Sequence, residues 1–246
     1  MHSMPKLTII IVNHNSAEIL ECIKSVYLTV KVQFEVFVVD NKSSDDSVQR
    51  IKQEFPDVNI IENSENKGYG AACNQAIKIA AGKHILILNP DIILQENTVE
   101  ELLKYLEQNK EAKIVSCKLK NPDGTLQDSY RKFPTIWGLL KRQLKTRFRT
   151  KNIIAQEFKE PTKVDWVSGA FMLLRNKYYF DERYFLYFED VDLCKTVGYV
   201  YYCPKVFATH LAKRQSAKNI KLIIWHIKSA MQYFAKTIHN YIYKLE

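Results

Sequence analysis

Lys83-His84-Ile85-Leu86-Ile87-Leu88-Asn89-Pro90-Asp91 sets four consecutive large aliphatic residues directly before an amide, a proline and a carboxylate. The apolar run is too short for a helix and reads as a strand buried on both faces, as at the centre of a largely parallel sheet. Pro90 cannot donate to a ladder, so pairing ends there and the chain leaves the sheet. Asp91 is then held at the carboxyl end of a central strand, where open α/β sheets bind their ligands. Taken alone, Asn-Pro-Asp is equally well turn chemistry. The flanking sequence decides.

Upstream, the same grammar repeats. Leu7 to Val12 is a β-rich run broken by Asn13-His14-Asn15-Ser16, and Ile19, Leu20, Ile23, Val26 and Tyr27 follow at helical intervals, with Asn15 and Glu18 spaced as a cap. Phe34 to Val39 is a second strand closed by Asp40-Asn41-Lys42-Ser43. Ser44 is placed to cap the next helix, whose apolar face is Val48, Ile51 and Phe55. Val58 to Ile61 is a third strand. The loop Asn66-Lys67-Gly68-Tyr69-Gly70 leads into a helix ending before Gly82, and its two glycines suit a tight turn beside a ligand. It is neither GxGxxG nor GxxxxGK[ST], so no dinucleotide site or P-loop is supported. Strand, loop and helix in alternation predict right-handed crossovers and a parallel sheet. The polar clusters Asn13–Asn15, Asp40–Lys42 and Asn89–Asp91 then converge on one edge of it.

Downstream, Thr98-Val99-Glu100-Glu101 has the form of a capping box, Lys113 to Leu119 is a strand, and Asn121-Pro122-Asp123-Gly124 is a turn. From Arg131 to Pro161 the chain is basic, with Phe133, Trp137 and Phe148, and reads as an excursion that docks on a surface. Val164 to Leu174 returns to strand, interrupted at Ser168-Gly169-Ala170. In Phe185-Leu186-Tyr187-Phe188-Glu189-Asp190-Val191-Asp192, three carboxylates follow four large apolar residues. Capping of a helix start would account for them. So would a carboxylate lodged against aromatic walls, where burial raises its proton affinity and fits it to accept a proton. Val200 to Cys203 is a last strand, ended by Pro204, with His210 beyond. From Ile220, the residues Ile224, Ile227, Met231, Phe234, Ile238, Tyr241 and Leu245 step by three or four, the pattern of an amphipathic helix over 217–245. It can pack on the domain, dimerise or lie on a membrane, and packing on the domain is the expectation.

Composition bounds the class. The 246 residues are 46% hydrophobic and 26% charged, ordinary for a globular enzyme. No apolar run reaches membrane-spanning length, Met1 to Lys6 lacks a signal-peptide core, and five scattered cysteines without a CxxC pair read as reduced thiols. A cytoplasmic protein is therefore expected, and the charge distribution adds a peripheral place on the inner face of the cell membrane as a further expectation. The net charge of +9 is concentrated: nine Lys/Arg face two Glu between Arg131 and Glu160, and seven Lys plus Arg214 face Glu246 alone from Lys205 onward. Such a bias suits an anionic partner.

In their order and residues, Ile9-Ile10-Ile11-Val12-Asn13-His14-Asn15, Val38-Val39-Asp40-Asn41-Lys42-Ser43, Asn66 to Gly70, Leu88-Asn89-Pro90-Asp91, Asn121 to Gly124, Val164 to Ala170 and Tyr187 to Leu193 resemble the inverting GT-A glycosyltransferases of family 2, in particular the bacterial rhamnosyltransferase-like branch. The resemblance implies a Rossmann-like α/β/α sandwich with a mainly parallel central sheet, in a single domain over 1–246. About 1–95 would form the nucleotide-sugar half and about 96–246 the acceptor half, with the basic excursion 131–161 and the C-terminal amphipathic helix. It implies transfer of a sugar, rhamnose among the candidates, from a nucleoside-diphosphate donor to a glycan or polyprenyl-diphosphate-linked acceptor in surface polysaccharide synthesis. It further implies a divalent cation, Mg²⁺ or Mn²⁺, held by Asp91 and His210. Asn13, Asn15, Asp40, Asn66, Gly68, Asn74 and Asn89 would bind the donor, and Trp166, Ser168 and Gly169 would form the wall between sugar and acceptor. Asp190 would be the base, with Glu189 its neighbour. Asn89 stands where the family carries the first Asp of its DxD motif, which removes one anionic ligand. An anionic membrane surface and a homodimer are the further partners, and nucleic acid is not one. A nucleotidyltransferase and a basic nucleic-acid-binding module are the alternative readings; the strand-end carboxylates argue against the second.

Overall fold

A computed structural model describes residues 5–138, 158–211 and 220–242. Nine strands form one sheet in the order β3-β2-β1-β4-β10-β6-β11-β5, with β8 paired to β11. In chain order they are β1 (Leu7–Asn13), β2 (Phe34–Asp40), β3 (Asn59–Glu62), β4 (His84–Leu88), β5 (Ile92–Leu94), β6 (Ile114–Lys120), β8 (Thr162–Val164), β10 (Phe171–Leu174) and β11 (Val200–His210); β7 (Tyr130–Arg131) and β9 (Trp166–Val167) pair separately. The helices are α1 (Ile19–Thr29), α2 (Ser47–Glu54), α3 (Tyr69–Ile79), α4 (Thr98–Gln108), α5 (Glu189–Val197) and α6 (Ile220–Ile242).

The parallel block β3-β2-β1-β4 is the product of three βα crossovers, and β1, β2 and β4 are largely apolar and buried, whereas β3 at the edge is Asn59-Ile60-Ile61-Glu62 with exposed ends. Leu7, Ile9 and Ile11 of β1 face one apolar cluster and Ile10 and Val12 the other, the period-2 alternation of a two-sided strand. Antiparallel β10 joins β4 to β6, with Phe171 opposite Leu88. The mainly parallel α/β/α sandwich expected from the sequence is the fold found. Gly82 serves close packing, since a Cβ there would stand 2.3 Å from the Thr8 nitrogen.

Local expectations fail at several element ends. The N-cap residues of α1, α2 and α4 are Glu18, Asp46 and Asn97, and none of them makes a side-chain cap bond; at α2 it is Asp45 that accepts the Ser47 N–H. Asn15 accepts from the Ser44 amide at 2.7 Å, and the Thr98 hydroxyl donates to the Phe207 carbonyl, so tertiary partners outbid the local caps. Pro204 does not end β11. The strand continues to His210 through a register shift between Cys203 and Phe207, a bulge in which proline is tolerated.

The C-terminal helix uses a different face from the one its apolar spacing suggested. Ser229 and Tyr233 are buried, Lys236 reaches Asp181 and Asp192, and the Trp225 ring stacks on Phe185 at 4.2 Å. Ile220, Ile224, Ile227, Met231 and Ile238 are exposed. Most of the basic excursion, including Phe148, lies outside the described residues, as do Tyr241 and Leu245 as side chains.

Candidate active site at the carboxyl ends of the parallel strands

A cleft of about 420 Å³ opens where β1, β2 and β4 end, lined by the turns after β1 and β4, by the loop before α3 and by Phe185, Leu186 and Leu211. His14, Asn15, Asn41, Asn66, Gly68, Asn89 and Asp91 all reach it. Three polar strand ends thus meet at one edge.

Asn13 and Asp40 end neighbouring strands in register and lie beneath this surface, both buried. The Asn13 amide donates to Asp40 Oδ1 at 2.8 Å and lies within reach of Ser43 and Ser47, while the Ser43 N–H and hydroxyl both donate to Asp40. Asn13 is therefore a brace for the Asp40 carboxylate and has no exposed surface of its own. Asn74 likewise faces away from the cleft. Its amide group exchanges hydrogen bonds with the Phe180 backbone and donates to Glu182, which ties α3 to the segment before Phe185.

Gly68 is where the chain must lack a side chain. Its φ is +88°, and a Cβ would stand 2.5 Å from the Phe185 carbonyl oxygen, which accepts the Tyr69 N–H at 2.9 Å. The Asn66 side chain accepts the Gly68 N–H, and the Asn41 amide donates to the Gly68 carbonyl. The loop is thus fixed from three sides.

Asp91 sits opposite His210, with Oδ1 and Nε2 3.2 Å apart. His210 Nδ1 donates to Gln127 Oε1 at 2.8 Å, and Gln127 Nε2 donates to Asn121 Oδ1 and to the His210 carbonyl, which fixes that assignment. Nε2 is left facing a carboxylate oxygen that is buried and has no hydrogen-bond partner among the described residues. An imidazole nitrogen beside a carboxylate oxygen without a partner is a donor set that can share a cation. Oxygen and imidazole donors suit a divalent cation. Among the described residues no group of three or more His, Cys, Asp or Glu side chains is arranged to hold a metal ion, so Asp91 and His210 supply two ligands at most from that set. Gln127 was not singled out from the sequence. It carries no motif, and only the fold brings it to His210.

Glu189 and Asp190 open α5. Before them, Tyr187 and Phe188 both have positive φ, 70° and 68°, a conformation that costs a non-glycine residue about 1–2 kcal/mol each. Surrounding structure holds this turn: the Phe188 carbonyl accepts the Asp192 N–H, the Ser229 hydroxyl donates to the Leu186 carbonyl, and Phe188 packs on Tyr233. Asp190 Oδ2 accepts the Gly169 N–H at 2.9 Å and Oδ1 accepts the Val191 N–H at 2.8 Å. Burial pushes the Asp190 carboxyl above its ordinary value, against the pull of those two N–H groups and of Arg131. Glu189 is buried with Oε2 unpaired, and burial followed by the Asp190 charge pushes it well above the carboxylate range. Of the pair, Glu189 is the one pushed further above the carboxylate range. Tyr69, which lines the cleft, donates its hydroxyl to the Gly169 carbonyl and so links the cleft wall to the Asp190 anchor. Tyr69 had no sequence signal beyond its place in the glycine loop.

Asp192, two residues on, points elsewhere. Its Oδ2 accepts Lys236 Nζ of α6 at 2.7 Å. Ser168 receives the Ala170 N–H and, with Gly169, shapes the turn beside Asp190, whereas the Trp166 indole donates to the Lys132 carbonyl and packs in a small aromatic cluster with Tyr184, Phe188 and Tyr233. Burial pushes the Cys22, Cys73, Cys117 and Cys194 thiols far up, so none is poised as a nucleophile.

A profile of glycosyl transferase family 2 matches residues 8–180. The rhamnosyltransferase WbbL of Escherichia coli (strain K12) is 29% identical over 248 residues, 93% of this chain and 92% of that protein. An N-acetylglucosaminyl-diphospho-decaprenol L-rhamnosyltransferase of Mycobacterium tuberculosis is 30% identical over 71% of this chain, which spans 64% of its length. Among solved structures, the mannosyltransferase PcManGT of Pyrobaculum calidifontis, in complex with GDP-Man and Mn²⁺, superposes with a TM-score of 0.64 at 22% identity over 97% of this chain and 65% of that one. TarS of S. aureus with UDP-GlcNAc gives 0.62 at 18% identity over 87% and 61%. These two likenesses establish the fold.

Proposed function

Since the chain belongs to glycosyl transferase family 2, we propose that it is a metal-dependent inverting glycosyltransferase. It would move a sugar from a nucleoside diphosphate to a polyprenyl-diphosphate-linked glycan in surface polysaccharide synthesis. Rhamnose is the sugar to test first, because the names of two relatives specify it. The observation that carries the reading is Asp190: a carboxylate of raised proton affinity, held by two backbone N–H groups and joined through Gly169 and Tyr69 to a cleft lined by Asp91, behind which His210 stands.

The nucleotide would lie along the ends of β1 and β2, where Asn15, Asn66, Gly68 and Asn89 offer polar groups and Asp40 shapes the floor. Asp91 and His210 would hold Mg²⁺ or Mn²⁺, whose chemistry when bound is to neutralise charge on the departing diphosphate. Asp190 accepts the proton of the attacking acceptor hydroxyl at whichever oxygen lone pair its two N–H donors leave open. Attack from the face opposite the leaving group inverts the anomeric centre in one displacement. General-base assistance of this kind is worth about 10²–10⁴ in rate. The raised proton affinity of Glu189 disfavours a second negative charge beside Asp190, and the Tyr69–Gly169 link ties the turn that anchors the base to the cleft wall. The two halves of the chain as donor and acceptor regions form part of the same proposal.

A thermal-shift screen of nucleoside-diphosphate sugars with and without Mg²⁺ or Mn²⁺ tests this. A true donor at 100 times its Kd adds about 2.7 kcal/mol to stability, and Asp91→Ala should abolish the cation-dependent part. Donor affinity unchanged by chelator, in wild type and Asp91→Ala alike, would refute the metal assignment. Release of pyrophosphate would replace the reading with nucleotidyl transfer.

A further inference from the structure

Helix α6 is apolar on two opposite faces, and the domain covers one of them. Trp225, Ser229, Tyr233 and Lys236 point inward. Ile220 is nine residues from Ser229, hence about 180° around the helix, and it heads a stripe with Ile224, Ile227, Met231 and Ile238 whose members are 50–73% exposed. The stripe spans about 27 Å of helix. Contiguous exposed apolar surface of this length marks a partner.

The charge on the helix selects the partner. Ile220–Ile242 contains Lys221, Lys228 and Lys236 and no Asp or Glu. Lys236 is turned inward to Asp181 and Asp192, whereas Lys221 and Lys228 are exposed and stand about 80–100° from the stripe centre, at its flank. Pairing with a second copy would set like charges along the seam with no carboxylate on either helix to answer them, and Phe234, which the spacing requires in that seam, packs on the domain. An anionic lipid surface answers both features, since acyl chains take the stripe and headgroups take the lysines.

We propose that α6 lies in the plane of an anionic bilayer interface, with its Ile220–Ile238 stripe in the acyl boundary and Lys221 and Lys228 among the headgroups. Phe185, which stacks on Trp225, and Leu186, whose carbonyl accepts the Ser229 hydroxyl, line the cleft. The docked helix therefore sets the cleft rim beside the lipid. Docking itself rests on the helix alone; its use in reaching a lipid-carried acceptor rests on the function proposed above.

The test is flotation of the full chain with phosphatidylglycerol–phosphatidylethanolamine vesicles and with phosphatidylcholine vesicles, at low and high salt. Wild type should float with the anionic vesicles and detach as salt rises. Ile224→Glu/Met231→Glu, both outside the covered face, should lower partitioning by about 100-fold, and Lys221→Ala/Lys228→Ala by about 20- to 30-fold on anionic vesicles only. Circular dichroism melts confirm that each variant is folded. Equal flotation of wild type and Ile224→Glu/Met231→Glu overturns the proposal. So do wild-type dimers in sedimentation velocity that this pair splits while wild type leaves vesicles unbound. Transfer to a short water-soluble acceptor, run in parallel, separates the two readings: lost flotation with transfer intact is the expected behaviour of the Glu pair, whereas flotation by a wild type that transfers no sugar keeps the docking and removes the activity.

Discussion

Lys236→Met should destabilise the protein, because the lysine is the only described cation in ion-pair contact with Asp192. Its ammonium lies 2.7 Å from Asp192 and 2.9 Å from Asp181, and the three side chains are 23%, 7% and 16% exposed. Asp181 keeps Arg183 when the lysine is removed, but Asp192 is left with the long contact from the Tyr184 hydroxyl at 3.4 Å and the more distant charges of Lys195 and Arg183. Removing one partner of a buried pair costs about 3–5 kcal/mol, and partial exposure of the lysine places this case near 3. For a chain of this size that corresponds to about 6–12 °C in Tm. Asp192→Asn should cost only about 1–2 kcal/mol, since Lys236 keeps Asp181, and the double variant should recover about 2 kcal/mol relative to the sum. Turnover should fall as well, because α6 braces the strained Tyr187–Phe188 turn that delivers Asp190. The pH dependence has two sides. Asp181 is held below the ordinary carboxylate range by Arg183 and Lys236, so its stabilisation is present above the unfolded value and lost as pH falls below it. Lys236 is raised by Asp192 and Asp181, in spite of burial, so its stabilisation is full below the unfolded value and lost in strong base. Urea unfolding of wild type and the three variants reads all of this. Additive single effects, or a Lys236→Met loss under about 0.5 kcal/mol, would show that the clamp does not hold the helix.

Asp190→Asn keeps the shape and removes the proton acceptor, so turnover should drop about 10²-fold or more with donor affinity by calorimetry nearly unchanged; near-normal turnover refutes the base. With burial raising Asp190, the acid limb of the wild-type rate profile should lie above about 3.9, the ordinary Asp value, and it should be absent from the residual activity of Asp190→Asn. Glu189→Gln should stabilise the fold at neutral pH by about 1–3 kcal/mol, since the wild-type carboxyl is buried with one oxygen unpaired. Its raised folded-state affinity favours the fold fully below about 4.3 and loses that advantage as pH rises, so the gain from Gln should vanish in acid when melts are compared across pH. Gly68→Ala should cost about 1 kcal/mol from backbone conformation alone, and more from collision with the Phe185 carbonyl, and should raise the donor Kd by displacing that rim.

The sequence by itself determined the parallel core and the edge on which the site lies. Short all-apolar runs ending in Asn13, Asp40 and Asn89-Pro90-Asp91 have one good solution, strands buried on both faces whose polar ends meet, because period-2 burial and the hand of the crossovers leave little freedom. The resemblance of these stretches to family 2 pointed to the same arrangement. Tertiary structure decided which polar groups serve and which merely hold. Asn13 and Asn74 stand in the right stretches, yet their amides are taken up by Asp40 with its serines and by Phe180 with Glu182, partners 27 and 106 residues away. Gln127 meets His210 across 83 residues, and Lys236 meets Asp192 across 44. Pairings at such separations leave no mark on local periodicity. The C-terminal helix makes the same point: its apolar spacing is plain in the sequence, but two opposite faces were available, and the carboxylates waiting at Asp181 and Asp192 turned Lys236 inward. A buried ion pair tolerates far less displacement than a row of isoleucines, so the charges fixed the rotation of the helix and left Ile220, Ile224, Ile227 and Met231 outside.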